Sequence, residues 1–349
     1  MRFERREQNS AFMVIAPPIF AIGVSLVLSG LLIALAGAPV LEAYGSLIKG
    51  AFGSRLAITE TLTRTTPLIL TGLAAATAFR AKLWNIGAEA QLYIGAVMTV
   101  VLGTGAVMLP SLALIPILMA AAMLGGALML LGPAILKVRL GVDEVVTTLL
   151  LNFIVLLFVS MLLEGVLKDP MGLGWPQSQR VIEEAQLPRL IQGKRLHFGF
   201  IIALASAVVT WIIMTRTTFG YEMRAVGHNA QAAAFAGIPV NWVLIKTALL
   251  SGGLAALAGF SEVAGLKGNL TLDLSPGFGY TGIVVAMLAL LNPLGVVLSA
   301  IFVAGIFVGA DAMSRTAGVP SFIAEVMVAT ALLTMVTAIM LSRFRIRWR

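Results

Sequence analysis

The chain has 349 residues, of which 59% are hydrophobic and only 11% charged, with a net charge of +8 and a mean hydropathy of +0.98. A soluble domain carries roughly 25% charged residues, so this composition excludes a water-soluble fold and requires lipid as solvent. Cysteine is absent, which excludes disulfides, thiolate metal sites and a cysteine nucleophile. The two histidines, His197 and His228, lie far apart without metal-ligand spacing, so no metal, cofactor or catalytic residue is expected.

A membrane-spanning chain must satisfy its backbone polar groups internally, as a helix bundle or a closed barrel. The apolar runs here are long and continuous, whereas barrel strands alternate over about ten residues. The expectation is an all-α polytopic bundle forming one transmembrane domain over 1–349. Its basic N-terminus (Arg2, Arg5, Arg6) leads into an apolar run from Ala11 to Gly37, too long for a signal-peptide core and read as an uncleaved first span. About ten membrane segments follow in order: 12–37, 66–82, 87–108, 111–134, 145–166, 198–215, 241–264, 279–291, 293–311 and 321–342. Those at 66–82, 87–108, 279–291 and 293–311 are short or broken by Gly, Pro and Asn. The amphipathic stretch 40–64 (Leu41, Tyr44, Leu47, Ile48, Phe52) is expected along the interface. The loop 167–197, with Pro170, Pro176 and Pro188, is expected to form a small extracytoplasmic lid.

Basic residues gather in 1–10, at Arg80 and Lys82, at Lys137–Arg139, in Arg216–Arg224 and in the tail Arg343, Arg345, Arg347 and Arg349. The alternate connections, 38–65, 167–197 and 265–278, mix both signs. This asymmetry places both termini in the cytoplasm. The positive charge is thus a topology signal and implies no nucleic acid. Ser251, Ala255 and Gly259, and the pair Gly305 and Gly309, form small-residue stripes suited to close helix packing.

Three stretches are irregular. In 83–95 (LWNIGAEAQLYIG), Asn85, Glu89 and Gln91 sit between apolar arms around Gly87. A carboxylate at membrane depth must be paired or face water, so Glu89 either lines a pathway, caps a helix start, or pairs with Arg80 or Lys82. In 275–295, SPGFGYTG and NPLG interrupt a second spanning run. Paired interrupted segments either point to a translocation site or are re-entrant structural loops. In the connection 217–239, Asn229 can cap a short Ala-rich helix that Gly237 ends and Pro239 stops, either a docking element for another protein or a solvated connector. No phosphate-binding loop, zinc-protease motif or nucleophile elbow occurs, so any ATP chemistry needs another chain.

The segments Trp84–Gly95, Gly141–Asn152 (GVDEVVTTLLLN), Gly220–Pro239 and Gly277–Gly295 together resemble the permease subunits of ABC importers of the nucleoside and simple-sugar type, relatives of ribose and branched-chain amino-acid permeases. The resemblance runs in order from about 60 to 340. Trp84, where Phe is usual, and Ala90, where Gly is frequent, depart from its pattern and blur the substrate. It implies a multi-pass subunit of the bacterial plasma membrane that is not itself an enzyme. Its partners would be cytoplasmic ATP-binding cassette subunits, a second and different permease subunit, and an extracytoplasmic binding protein. The ATPase-facing loop would fall in 216–240, with Gly220, Arg224, Gly227, Asn229, Ala233, Gly237, Ile238 and Pro239 as its candidates. Candidates for the path of a nucleoside, or second a simple sugar, are Asn85, Glu89, Gln91, Asn152, Tyr280 and Thr281. The alternative is an ion-coupled secondary transporter with discontinuous helices, using Glu89, Glu262 or Glu325.

Overall fold

A computed structural model describes residues 2–5 and 11–347. A short strand β1 (Arg2–Arg5) precedes α1 (Ala11–Leu35), α2 (Val40–Phe52) and α3 (Arg55–Arg80). Then come α4 (Ala88–Gly103), α5 (Ser111–Leu140), α6 (Glu144–Glu164) and α7 (Gly199–Arg216). The shorter α8 (Thr218–His228) and α9 (Ala230–Phe235) lead to α10 (Val240–Ser261), which continues into one π-helical turn, Glu262–Lys267. The chain ends with α11 (Phe278–Leu288), α12 (Pro293–Ala317), α13 (Ile323–Arg343) and β2 (Phe344–Arg347), which pairs antiparallel with β1.

Five described helices are long and apolar enough to cross a membrane: α5, α6, α7, α12, and α10 with its π turn. Residues 19–35 of α1 add a sixth together with α2, across a bend of 119°. The outer helices present apolar side chains outward, as Leu150, Phe153, Ile154, Leu157 and Met161 do on α6. Lipid is the medium in which that surface is stable.

The core lies where α10 packs against α3, α4 and α5, and where α12 packs against α2 and α3. Helix α3 is rich in threonine, yet Thr59, Thr61, Thr63, Thr65, Thr66 and Thr71 are all buried. Thr63, Thr65, Thr66 and Thr71 each return their hydroxyl proton to the carbonyl four residues earlier, at 2.7–3.2 Å. That back-bonding lets a polar-looking helix fill an apolar interior. It also explains why the expected segment 66–82 begins instead at Arg55. The stretch 40–64 is therefore not one interfacial helix. It divides into α2, whose buried Leu47 packs on α12 while Leu41 and Ile48 face outward, and the first turns of α3, capped by Ser54.

The two ends of the bundle differ in chemistry. At the basic end, Lys137 forms an ion pair with Glu144 and reaches the Lys82 carbonyl, and α8 rests on the end of α3. At the opposite end, residues 167–197 strap the helix ends through backbone bonds. Ile182 donates to Gly103 at 2.9 Å, Val181 to Gly268 at 2.9 Å, and Leu187 to Ala264 at 2.8 Å. His197, fully buried at the close of this strap, accepts from Gly199 N at 3.1 Å.

Candidate functional site

Helix α3 stops at Arg80, and Lys82 turns the chain with a positive φ of 55°. Residues 81–87 then run without regular structure back into the bundle. Irregular backbone at this depth must find partners, because lipid offers none. Helix α6 supplies them from one face, at positions i, i+4 and i+8. Glu144 accepts from Trp84 N at 3.1 Å, Thr148 from Ile86 N at 3.2 Å, and Asn152 from Ala90 N at 2.9 Å. Asn152 also donates to the Ile86 carbonyl at 3.0 Å and to the Tyr280 hydroxyl at 3.0 Å. On the other side, Asn85 and Gln91 exchange two amide bonds of 2.9 Å, and Asn85 donates to Ser251 Oγ at 3.0 Å. Ser251 passes its proton to the Ala74 carbonyl at 2.8 Å. Asn85 Oδ1 also receives Gly87 N at 3.0 Å, just before α4 begins.

The second interrupted segment meets the first. Ser275 Oγ accepts from Phe278 N at 2.9 Å and starts α11. The Glu89 carboxylate then accepts from Gly279 N at 2.6 Å. A Cβ on Gly279 would collide with the Glu89 backbone, so only glycine permits this approach. The N-termini of α4 and α11 thus face each other, with one carboxylate at the positive ends of both dipoles. Asn152 lies eight residues along α6 from Glu144, about 12 Å from the basic end. From this middle depth α4 runs toward the strapped end and α11 toward the basic end.

The expected path residues separate by exposure. Asn85, Glu89, Gln91 and Asn152 are buried and hydrogen-bonded within the chain, whereas Tyr280 is 39% exposed and Thr281 half-buried. Among described residues Glu89 pairs with neither Arg80 nor Lys82; it caps a helix start, that of α11. Glu144, Thr148, Ser251 and Ser275 belong to the same network but were not among the expected residues. The four-residue spacing of Glu144, Thr148 and Asn152 was the signal available for two of them. Tyr93, fully buried, was missed too; its hydroxyl donates to the Leu272 carbonyl at 2.5 Å and ties α4 to the approach of α11.

At the basic end α8 and α9 form a bent pair. Gly220 packs on the Ile213 and Met214 carbonyls, the Arg224 guanidinium donates to the Met214 carbonyl, and Gly227 lies against the Arg80 carbonyl. Asn229 caps α9, accepting from Gln231 N at 3.0 Å and Ala232 N at 3.1 Å. Ala233 is buried, and its carbonyl takes the Ile238 N–H at 3.0 Å. Gly237 closes α9 with a φ of +84°, which a side chain tolerates poorly. Pro239 precedes α10. The tip of α9 carries Phe235, 98% exposed.

Residues 57–341 match the family described as branched-chain amino acid transport system / permease component. The chain belongs to this family. It is 36% identical to a guanosine ABC transporter permease of Bacillus subtilis, over 90% of this chain and 91% of the relative. It is 33% identical to a glucose ABC transporter permease of Haloferax volcanii, over 99% and 93%. It is 31% identical to a nucleoside ABC transporter permease of Lactococcus lactis, over 92% and 90%.

As an ABC importer permease, the chain is a multi-pass membrane protein of the plasma membrane and the transport subunit of its system, not an enzyme. ATP hydrolysis belongs to a separate subunit. Membership sets aside the ion-coupled secondary transporter. It also gives the two irregular regions a common setting, since Gly227 touches Arg80, the last residue before the break that leads to α4.

Proposed function

We propose that this permease carries a nucleoside, with a simple sugar as second choice. The observation that carries this reading is the near end-to-end similarity to the guanosine permease. The glucose permease, at comparable identity, supports the second choice. The network around Glu89 fits a neutral solute, because its polar groups are already hydrogen-bonded within the chain.

In this reading ten segments cross or enter the membrane, namely α1, α3, α4, α5, α6, α7, α10, α11, α12 and α13. The pairing of β1 with β2 puts Arg2–Arg5 beside Phe344–Arg347, which supports two termini on one side, and their basic residues favour the cytoplasmic side. The ATP-binding subunit docks on α9, with Phe235 as its apolar contact. Motion passes through Gly227 to Arg80 and on to the α4–α11 crossing. Such a push drives transport only if the ATPase binds the two conformations differently. Asn85, Glu89, Gln91 and Asn152 act here by holding the half-helices, while Tyr280 and Thr281 face the path shared with a second, different permease subunit. An extracytoplasmic binding protein delivers solute to the strapped end.

The test is uptake of radiolabelled guanosine and glucose by vesicles holding the complete transporter and its binding protein. Guanosine uptake that needs ATP and persists with an ionophore is expected. Uptake of neither solute would refute the reading.

A further inference from the structure

We propose that a cleft at the strapped end is a binding station for the nucleoside, with the ribose hydroxyls on Glu262 and the base against phenylalanine rings. This deepens the substrate reading above and rests on it. The cleft has a volume of about 420 Å³, within the roughly 300–1,000 Å³ range of small-molecule pockets. It opens between the first turns of α3, the last turns of α12, the π turn and the start of α13. Arg64, on its wall, is 16 residues along α3 from Arg80, about 24 Å. The station therefore lies on the face away from α9.

Its chemistry is that of a neutral, flat, hydroxyl-bearing ligand. Glu262 is only 2% exposed, lines the cleft, and has no hydrogen-bond or ion-pair partner among the described residues. A buried carboxylate without donors is unfavourable, and the hydroxyls of a ribose diol supply two. The π turn that carries it is the kind of helical irregularity that recurs at functional sites. Arg64 is held at 2.7 Å by Asp311 through one terminal nitrogen. A guanidinium has five N–H donors, so others remain for the carbonyl or ring nitrogen of a base. Phe278, Phe307 and Phe322 supply ring faces in the same cleft, and bases stack on such faces whatever their identity.

Charge then separates nucleoside from nucleotide. The lining holds five carboxylates (Glu60, Glu262, Asp273, Asp311, Glu325) against three cationic side chains (Arg64, Arg195, Lys267). That excess repels a phosphate. Phe278 and Pro276 also border the cleft, so the station opens onto the segment that leads to Gly279 and Glu89.

The test uses the complete transporter in nanodiscs, photolabelled with 8-azidoguanosine and mapped by mass spectrometry. Label is expected on the peptides bearing Phe307 or Phe322, with protection by guanosine and about tenfold weaker protection by guanosine monophosphate, because the excess carboxylates repel its phosphate. Glu262→Gln, which keeps shape, and Phe322→Ala, at a 70% exposed ring, should each cut labelling about tenfold. Label elsewhere, equal protection by the monophosphate, or wild-type labelling in both variants would overturn the station. If the wild-type transporter still imports guanosine in that event, the substrate reading survives and only the station falls. Import of glucose without guanosine would overturn both.

Discussion

The carboxylate of Glu89 receives the amide of Gly279 at 2.6 Å, so a residue of one half-helix caps the other. The two residues are 190 apart in sequence, and the contact joins the interrupted segments of the two halves, together with the Tyr93 bond to the Leu272 carbonyl. A hydrogen bond to a charged group contributes about 1.5–3 kcal/mol. Glu89→Ala should therefore lower the unfolding midpoint in detergent and abolish most uptake, whereas Glu89→Gln, which keeps an acceptor, should retain more of both. Glu42→Ala, near the start of α2, is the comparison and should behave as wild type. Equal, negligible effects of Glu89→Ala and Glu42→Ala in an uptake assay would remove Glu89 from the mechanism.

The ladder on α6 makes a graded prediction. Asn152→Leu leaves both Ala90 N–H and the Ile86 carbonyl without their partner, at about 1–3 kcal/mol for each buried group. Thr148→Val removes one acceptor, for Ile86 N. Thermal unfolding should rank the variants wild type, Thr148→Val, Asn152→Leu in falling stability. The reverse order would mean that residues 81–90 find other partners.

Much of this was legible in the residues. Each of the ten expected apolar segments has a helix, and the cap, stop and turn of α9 follow from Asn229, Gly237 and Pro239. The polar cluster Asn85, Glu89 and Gln91 marked a real break. The direction of its bonds was not legible, because each partner (Asn152, Ser251, Gly279) is more than 60 residues away and its pairing depends on packing. The first turns of α3 were hidden for a related reason. Threonines that bond their own helix read as polar by composition, though buried they act as apolar surface. The cleft around Glu262 gathers side chains from five separate stretches, and no spacing in the chain announces it.

The basic end gives the third prediction. Gly237→Val places a β-branched side chain at a φ of +84°, a conformation that costs L-residues about 1–2 kcal/mol or more. The strain falls on the end of α9 and not on the bundle, because nothing crowds the Gly237 position. The variant should reach the membrane at normal levels, and the transporter that contains it should still hydrolyse ATP with uptake reduced at least severalfold. Phe235→Ala should weaken association with the ATP-binding subunit without changing the unfolding midpoint. Normal uptake in both variants would detach α9 from the energy source.

The strap at the other end predicts a pH effect. His197 is fully buried, its Nδ1 accepts from Gly199 N, and burial pushes its pKa down to about 4. Unfolded, the ring titrates near 6.5. Between these values the unfolded chain binds more protons, so stability is complete above pH 6.5 and falls as pH drops toward 4. The full shift corresponds to about 3 kcal/mol. Protonation at Nδ1 would also break the Gly199 bond and press charge against the π turn, since Gly265 lies directly on the ring. Unfolding midpoints measured from pH 7.5 to 4.5 should decline for the wild type more steeply than for His197→Gln, which has no group titrating in that range. Parallel declines in the two proteins would show that His197 is not the group responsible.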